Sequence, residues 1–388
     1  SIARVHAGGA TDGDEGSATG AATYRYWSAQ NMRRTAMLVL LTAIGVESWS
    51  LSANYARHAV AGLNSHSMRL APQRQVRLVG TQMAESDAIE SKPVRGFIGL
   101  GIMGVGMAKC LLAHGYPLSV WTRNATVAIM FQAAASAEGG PSVTIAASPS
   151  EVIRECDVTF VMLSTPEACS SVYRMDNGLL AGVTPGKAVV DCATLRVEDM
   201  VDLESEVHAR GGRFLEAPVS GSKVPAQQGQ LIFMTAGDEK LHGEIQEELG
   251  AMGKDSLYCG PVGAATRMKL VVNLVMGAQL AALAEGIALA EALGLSTADL
   301  QCVLDQGAMA SPMLKLKGPL MAKALYESNF PLKYAHKDMR FALQEAESSG
   351  QAVPTCERAN ALYKSAVEMG LGELDFAAVA DAARDLRR

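Results

Sequence analysis

Val94-Arg95-Gly96-Phe97-Ile98-Gly99-Leu100-Gly101-Ile102-Met103-Gly104 is the stretch on which the fold turns. Its first five residues read as a short apolar strand. Glycines follow at 99, 101 and 104, then an apolar helical pattern through Met107, Leu111 and Leu112 to Gly115. Three glycines at this spacing say little alone, but between a strand and a helix they say much more. The first allows a tight turn, the second lets backbone approach a pyrophosphate, and the third lets helix and strand pack closely. The free N–H groups at the helix start then face the phosphates. Gly99, Leu100, Gly101, Ile102, Met103 and Gly104 are therefore expected to cradle a dinucleotide.

The next strand, Pro117 to Trp121, ends at Thr122-Arg123-Asn124. An NAD site usually places Asp or Glu here to hold the ribose 2′-hydroxyl. This chain has no acidic residue between Gly99 and Glu138. Arg123 offers instead a planar fork of donors suited to phosphate oxygens, flanked by the hydroxyl of Thr122 and the amide of Asn124. NADP(H) is favoured over NAD(H), the alternative being a solvated surface arginine.

Strand patterns recur at Asp157–Leu163, Lys187–Asp191, Arg213–Ala217, Leu231–Ala236 and Ser256–Cys259. Ligands of doubly wound sheets lie at the carboxyl ends of strands. Leu163 and Ser164 stand at one such end and Thr194 at another. From Gly263 the pattern is helical, with a long segment to Leu293 and further stretches at 296–306, 312–326, 335–349, 354–369 and 375–386. Alternating elements followed by helices alone imply an α/β, Rossmann-type domain over 94–259 and an all-α domain over 260–388.

Lys269 interrupts the apolar start of the long helix, and Asn273 follows four residues later on the same face. A lysine in such surroundings is paired, snorkelling or chemically employed. Its place where the two domains meet favours employment, because clefts between domains commonly hold ligands.

The formal charge of −6 leaves no basic footprint for nucleic acid. Seven scattered cysteines form no CxxC pair and read as free thiols of a reducing compartment. The histidines suggest no metal site. Residues 1–93 differ from the rest. Between Gly16 and Glu85 the only acid is Glu47, against seven arginines. Met32-Arg33-Arg34-Thr35 precedes an apolar run from Ala36 to Val46, too short to span a bilayer comfortably. Residues 32 to about 90 are expected to be a two-part organelle address, to a plastid or a mitochondrion, with Met32 as the true start. Without such an address the protein would be cytoplasmic, and no membrane attachment is expected of the mature form.

Taken in order, Gly99–Gly104, Asp191-Cys192-Ala193-Thr194, Glu216-Ala217-Pro218-Val219-Ser220-Gly221-Ser222-Lys223, Lys269 with Asn273, Gly307-Ala308-Met309, Asn329-Phe330-Pro331-Leu332-Lys333 and Lys337-Asp338-Met339-Arg340 are specific. Across Val94 to Arg384 the chain resembles the β-hydroxyacid dehydrogenases, with a 6-phosphogluconate dehydrogenase-type NADP-binding domain. Within them it looks most like the plant-type glyoxylate/succinic semialdehyde reductases. The resemblance implies NADPH-dependent reduction of small carboxylated aldehydes; the apolar helical domain, for its part, favours a homo-oligomer. It implies that Lys269 is the acid/base, that Ser220 and the backbone at Gly221 hold the substrate carboxylate, and that Asn273 orients the substrate. Thr194 and Lys337 would meet the nicotinamide end, and Phe330 and Asp338 would close the site. Two departures stand out: Gln132–Thr144 reads as an added loop, and Asn124 stands where relatives often carry Thr. A 3-hydroxyisobutyrate dehydrogenase using NAD and a non-catalytic NADPH-binding module remain as alternatives.

Overall fold

The computed structural model describes residues 92–386. The expected leader lies outside the described residues apart from its last two. The first half is a sheet with helices on both faces. Its strands are β1 (Arg95–Ile98), β2 (Leu118–Trp121), β3 (Val143–Ile145), β4 (Val158–Val161), β5 (Ala188–Asp191), β6 (Arg213–Glu216), β7 (Val219–Ser220), β8 (Leu231–Gly237) and β9 (Gly253–Tyr258). Strands β3-β2-β1-β4-β5-β6 are parallel neighbours in that order. β6 and β7 run antiparallel to β8, and β9 pairs β8 in parallel.

Alternation along the strands divides the core. Phe97, Phe160 and Val190 face one side, with Met107 and Leu111 of α1 (Gly104–Ala113) and Phe131 of α2 (Ala125–Ala137). Ile98, Val161 and Val189 face the other. There they meet α3 (Pro149–Glu155), α4 (Pro166–Arg174) and α5 (Val197–His208). The central strands are buried on both faces, which is why they read as unbroken apolar runs. Short helices α6 (Lys223–Gln227), α7 (Glu239–Glu244) and α8 (Gln246–Met252) complete this half.

The expected loop at Gln132–Thr144 is not an added loop. Its first six residues are the end of α2 and its last two belong to β3, leaving only a turn over 138–142. Its Ala-rich composition marks helix, the state alanine favours most.

The second half holds α9 (Ala264–Ala292), α10 (Thr297–Gln306), α11 (Pro312–Ala322), α12 (Leu332–Ser349), α13 (Pro354–Glu368) and α14 (Val379–Asp385), the last preceded by a 3₁₀ turn at Phe376–Ala378. Helix α9 is long and apolar enough to cross a membrane, yet half of its most apolar window is buried within this fold. It is the core helix of this half: Leu270, Leu274, Leu280 and Ile287 pack with Met339, Tyr363 and Val379. Gly277 lets α12 approach, since a Cβ there would lie 2.4 Å from Met339 Sδ. That approach brings Asn273, one turn earlier, within reach of α12.

Candidate active site

At β1 the chain order reverses, strands β2 and β3 lying to one side and β4 onward to the other. Such a switch point opens a crevice at the strand ends. Gly99 turns the chain there with φ +103°, and a Cβ on it would fall 2.3 Å from the Met162 carbonyl oxygen at the end of β4. A Cβ on Gly104 would fall 1.9 Å from the Gly99 carbonyl oxygen. A Cβ on Gly101 would meet nothing within 4 Å, because this glycine faces open space. No side chain caps the N-terminus of α1 at Met103, so this helix end is open to a ligand. The turn therefore fits a dinucleotide pyrophosphate: two glycines shape it, and the third leaves room for the guest.

A cavity of about 310 Å³ opens beside this turn. Gly101 to Gly104, Leu163, Ser164 and Thr194 line it from the sheet half, and Phe330, Lys337 and Asp338 from the helices. Met162, Asn329, Pro331 and Tyr334 also line it and were not anticipated as site residues. Tyr334 could have been found, since it precedes Lys337 by three residues and so shares its helix face.

Behind the cavity wall runs a chain of polar contacts. Lys269 Nζ donates to Asn273 Oδ1 at 2.9 Å, and Asn273 Nδ2 donates to Asp338 Oδ2 at 2.7 Å. Asp338 Oδ1 lies 3.1 Å from Lys337 Nζ without a formed hydrogen bond. Lys337 Nζ donates to the Thr194 carbonyl oxygen, joining the two halves. The amide of Asn273 is oriented by this chain, because its flipped form would set NH₂ against ammonium. Lys269 is 6% exposed. Burial pulls its pKa down to about 8, opposed by the carboxylate of Asp338 and assisted by the like charge of Lys337.

A second buried carboxylate fixes the helix that carries Lys269. Glu216, at the end of β6, accepts from the N–H groups of Gly263 and Ala265 at 2.7 and 2.9 Å and from Thr266 Oγ1 at 2.6 Å. Burial raises its pKa, and these hydrogen bonds oppose the rise. The sequence offered Glu216 within a motif but gave no sign of this partner.

Other expected residues stand apart. The Leu100 side chain is buried in the sheet core, which leaves only its backbone to meet a ligand. Ser220 is half-buried on β7 and Gly221 is exposed. Among the described residues no hydrogen bond joins either to Lys269. Thr122, Arg123 and Asn124 follow β2 outside the cavity; Arg123 is exposed, and the Asn124 side chain caps α2 by accepting from Thr126 N–H.

The profile of the NAD-binding domain of 6-phosphogluconate dehydrogenase matches residues 95–260. The profile for NAD binding of NADP-dependent 3-hydroxyisobutyrate dehydrogenase matches residues 263–383. Over 291 residues the chain is 44% identical to glyoxylate/succinic semialdehyde reductase 2, chloroplastic, of Arabidopsis thaliana, covering 74% of this chain and 78% of that one. The chain belongs to the β-hydroxyacid dehydrogenase family. A second member, glyoxylate/succinic semialdehyde reductase 1 of the same plant, is 43% identical over 289 residues, 74% of this chain and 98% of that one. Among solved family structures, 3-hydroxyisobutyrate dehydrogenase from Salmonella typhimurium superposes with a TM-score of 0.67 at 26% identity, over 75% of this chain and 99% of that one. Membership makes the protein an NAD(P)-dependent oxidoreductase with the family's two-part fold, and the NADP-dependent profile agrees with the cofactor expected from sequence.

Proposed function

We propose that this dehydrogenase reduces small carboxylated aldehydes, glyoxylate and succinic semialdehyde among them, with NADPH. The observation that carries the reading is the buried Lys269, tied to Asn273 and through it to Asp338 on the cavity wall. Bound NADPH supplies the hydride. As negative charge builds on the aldehyde oxygen, the Lys269 ammonium stabilises it and then gives up a proton. A pKa near 8 suits that transfer near neutral pH. Asn273 keeps the ammonium aimed, and Lys337, which holds the Thr194 carbonyl, would with it meet the nicotinamide end. Ser220 and the Gly221 backbone receive the substrate carboxylate, and Phe330 closes the pocket. Arg123, exposed at the end of β2, would hold the 2′-phosphate.

The names of the two plant relatives support the substrate class. A second reading, oxidation of 3-hydroxyisobutyrate with NAD, has the Salmonella structure in its favour and Arg123 against it. Steady-state assays of the full chain decide between them. The expected outcome is oxidation of NADPH by glyoxylate and succinic semialdehyde, with Arg123→Ala weakening NADPH about 10- to 100-fold and leaving NADH unchanged, as loss of a hydrogen bond to a charged group does. Preference for NAD and 3-hydroxyisobutyrate overturns the proposal.

Two lesser parts belong to the same reading. Residues 32 to about 90 address the enzyme to an organelle, in keeping with the chloroplastic relative. The exposed Met268, Val271, Val275 and Leu289 of α9 favour assembly of like subunits. N-terminal sequencing of the mature protein tests the first and sedimentation the second; a mature protein beginning at residue 1, or a monomer, refutes the respective part.

A further inference from the structure

We propose that the buried pair Lys317–Asp375 positions the segment Asn329–Pro331 at the cavity and so sets the length of aldehyde acid the site accepts. The proposal rests on the reduction of carboxylated aldehydes argued above.

Lys317 of α11 is 4% exposed and Asp375 is fully buried. Lys317 Nζ donates to Asp375 Oδ1 at 2.7 Å and lies 4.8 Å from the centroid of the Phe376 ring. Asp375 Oδ1 also accepts from Ala377 N–H at 3.1 Å. Its other oxygen accepts from the N–H groups of Asn329 at 3.0 Å and Phe330 at 3.2 Å. An ionised carboxylate offers about four acceptor sites. Four donors fill them, so the group has a single satisfied orientation.

The backbone closes around this point. Asp375 N–H donates to the Tyr326 carbonyl at 3.1 Å, Phe376 N–H to Phe330 at 2.9 Å, and Leu332 N–H to Leu374 at 2.8 Å. Tyr326 to Leu332 is thus a loop wrapped on one carboxylate. Its cavity-facing residues are Asn329, Phe330 and Pro331. The Phe330 ring stands edge-on to Phe376, centroids 5.4 Å apart. Lysine, carboxylate, loop amides and aromatic ring form one continuous support for a cavity wall.

A buried ion pair is a poor way to gain stability, since apolar residues of equal volume often serve as well or better. What this pair supplies is direction: the ammonium fixes the carboxylate, and the carboxylate fixes two amides beside the Phe330 ring. A wall displaced by the size of one methylene changes discrimination between homologous substrates by about 10- to 200-fold.

The test uses the full chain with Asp375→Asn and the double variant Lys317→Met/Asp375→Asn. An asparagine has one acceptor oxygen and cannot serve four donors. Three quantities are measured: kcat and KM for glyoxylate and for succinic semialdehyde, NADPH affinity by fluorescence, and hydrogen exchange of the peptide spanning Tyr326–Leu332. We expect faster exchange there with α1 unchanged, unaltered NADPH affinity, and a ratio of kcat/KM between the two acids shifted about tenfold or more, mostly through KM. Equal losses on both acids mark a merely structural support and overturn the proposal, as does an unchanged ratio or unchanged exchange. Should Asp375→Asn not fold, the double variant, which leaves no unpaired charge, carries the same measurements. A wild-type enzyme that reduces neither acid defeats the aldehyde-acid reading and this proposal with it; an active wild type whose selectivity survives the substitutions defeats this proposal alone.

Discussion

Lys269 and Lys317 are both buried in the helical half, and their surroundings differ in one respect. Lys317 meets a carboxylate at 2.7 Å, so its charge is fully answered. Lys269 meets a neutral amide at 2.9 Å, and its nearest carboxylate, Asp338, stands one hydrogen bond further on. The first nitrogen is anchored on an opposite charge. The second is kept in place while its proton is loosened, down to a pKa of about 8. Burial alone does not make a lysine chemically useful; the partner given to its nitrogen decides.

Exchanging the charge for an apolar chain separates the two cases most sharply. Lys269→Met is expected to lower turnover by about 10²- to 10⁴-fold, the usual contribution of general acid catalysis, with NADPH affinity little changed. Near-wild-type turnover would end the proposed role of Lys269. Lys317→Met leaves a buried carboxylate unpaired, which typically costs about 3–5 kcal/mol. Chemical denaturation should show that loss, and a midpoint equal to wild type would refute the view of Lys317 as a strut.

The smallest effect concerns pH. In the proposed role the Lys269 ammonium gives up the proton, so kcat/KM should fall as pH rises through about 8. Asp338 raises that pKa and Lys337 lowers it. Asp338→Asn should therefore move the alkaline limb to lower pH, and Lys337→Met to higher pH. Profiles that shift together, or not at all, contradict the chain of contacts described. The same depression makes this group's contribution to stability rise with pH between about 8 and 10.5, where the unfolded chain holds the proton more firmly. Lys269→Met should abolish that rise.

Much of this was legible in the sequence, and the remainder has a common cause. The glycine turn could be read because its requirements are local: three glycines at 99, 101 and 104, with a strand directly before them and a helix directly after. Lys269 and Asn273 could be paired because a helix fixes the i, i+4 relation. The partners of Lys317 and Glu216 could not be read, since they lie 58 and about 50 residues away. Nothing in Lys315-Leu316-Lys317 says which lysine is buried. The residues 132–144 misled for another reason: alanine and glycine together suggested a loop, although the alanines were continuing a helix. Strands β3 and β7, with three and two residues, are too short to carry an alternation.

Glu216 also bears on how such an enzyme could be recombined. Its carboxylate belongs to the sheet half, while every group it accepts from lies at the start of the helical half. The backbone donors come with any helix that begins there, but the Thr266 hydroxyl does not. A chimera that takes its sheet from one relative and its helices from another must therefore inherit residues 216 and 266 as a matched couple, or Lys269 arrives on a helix that has lost its anchor.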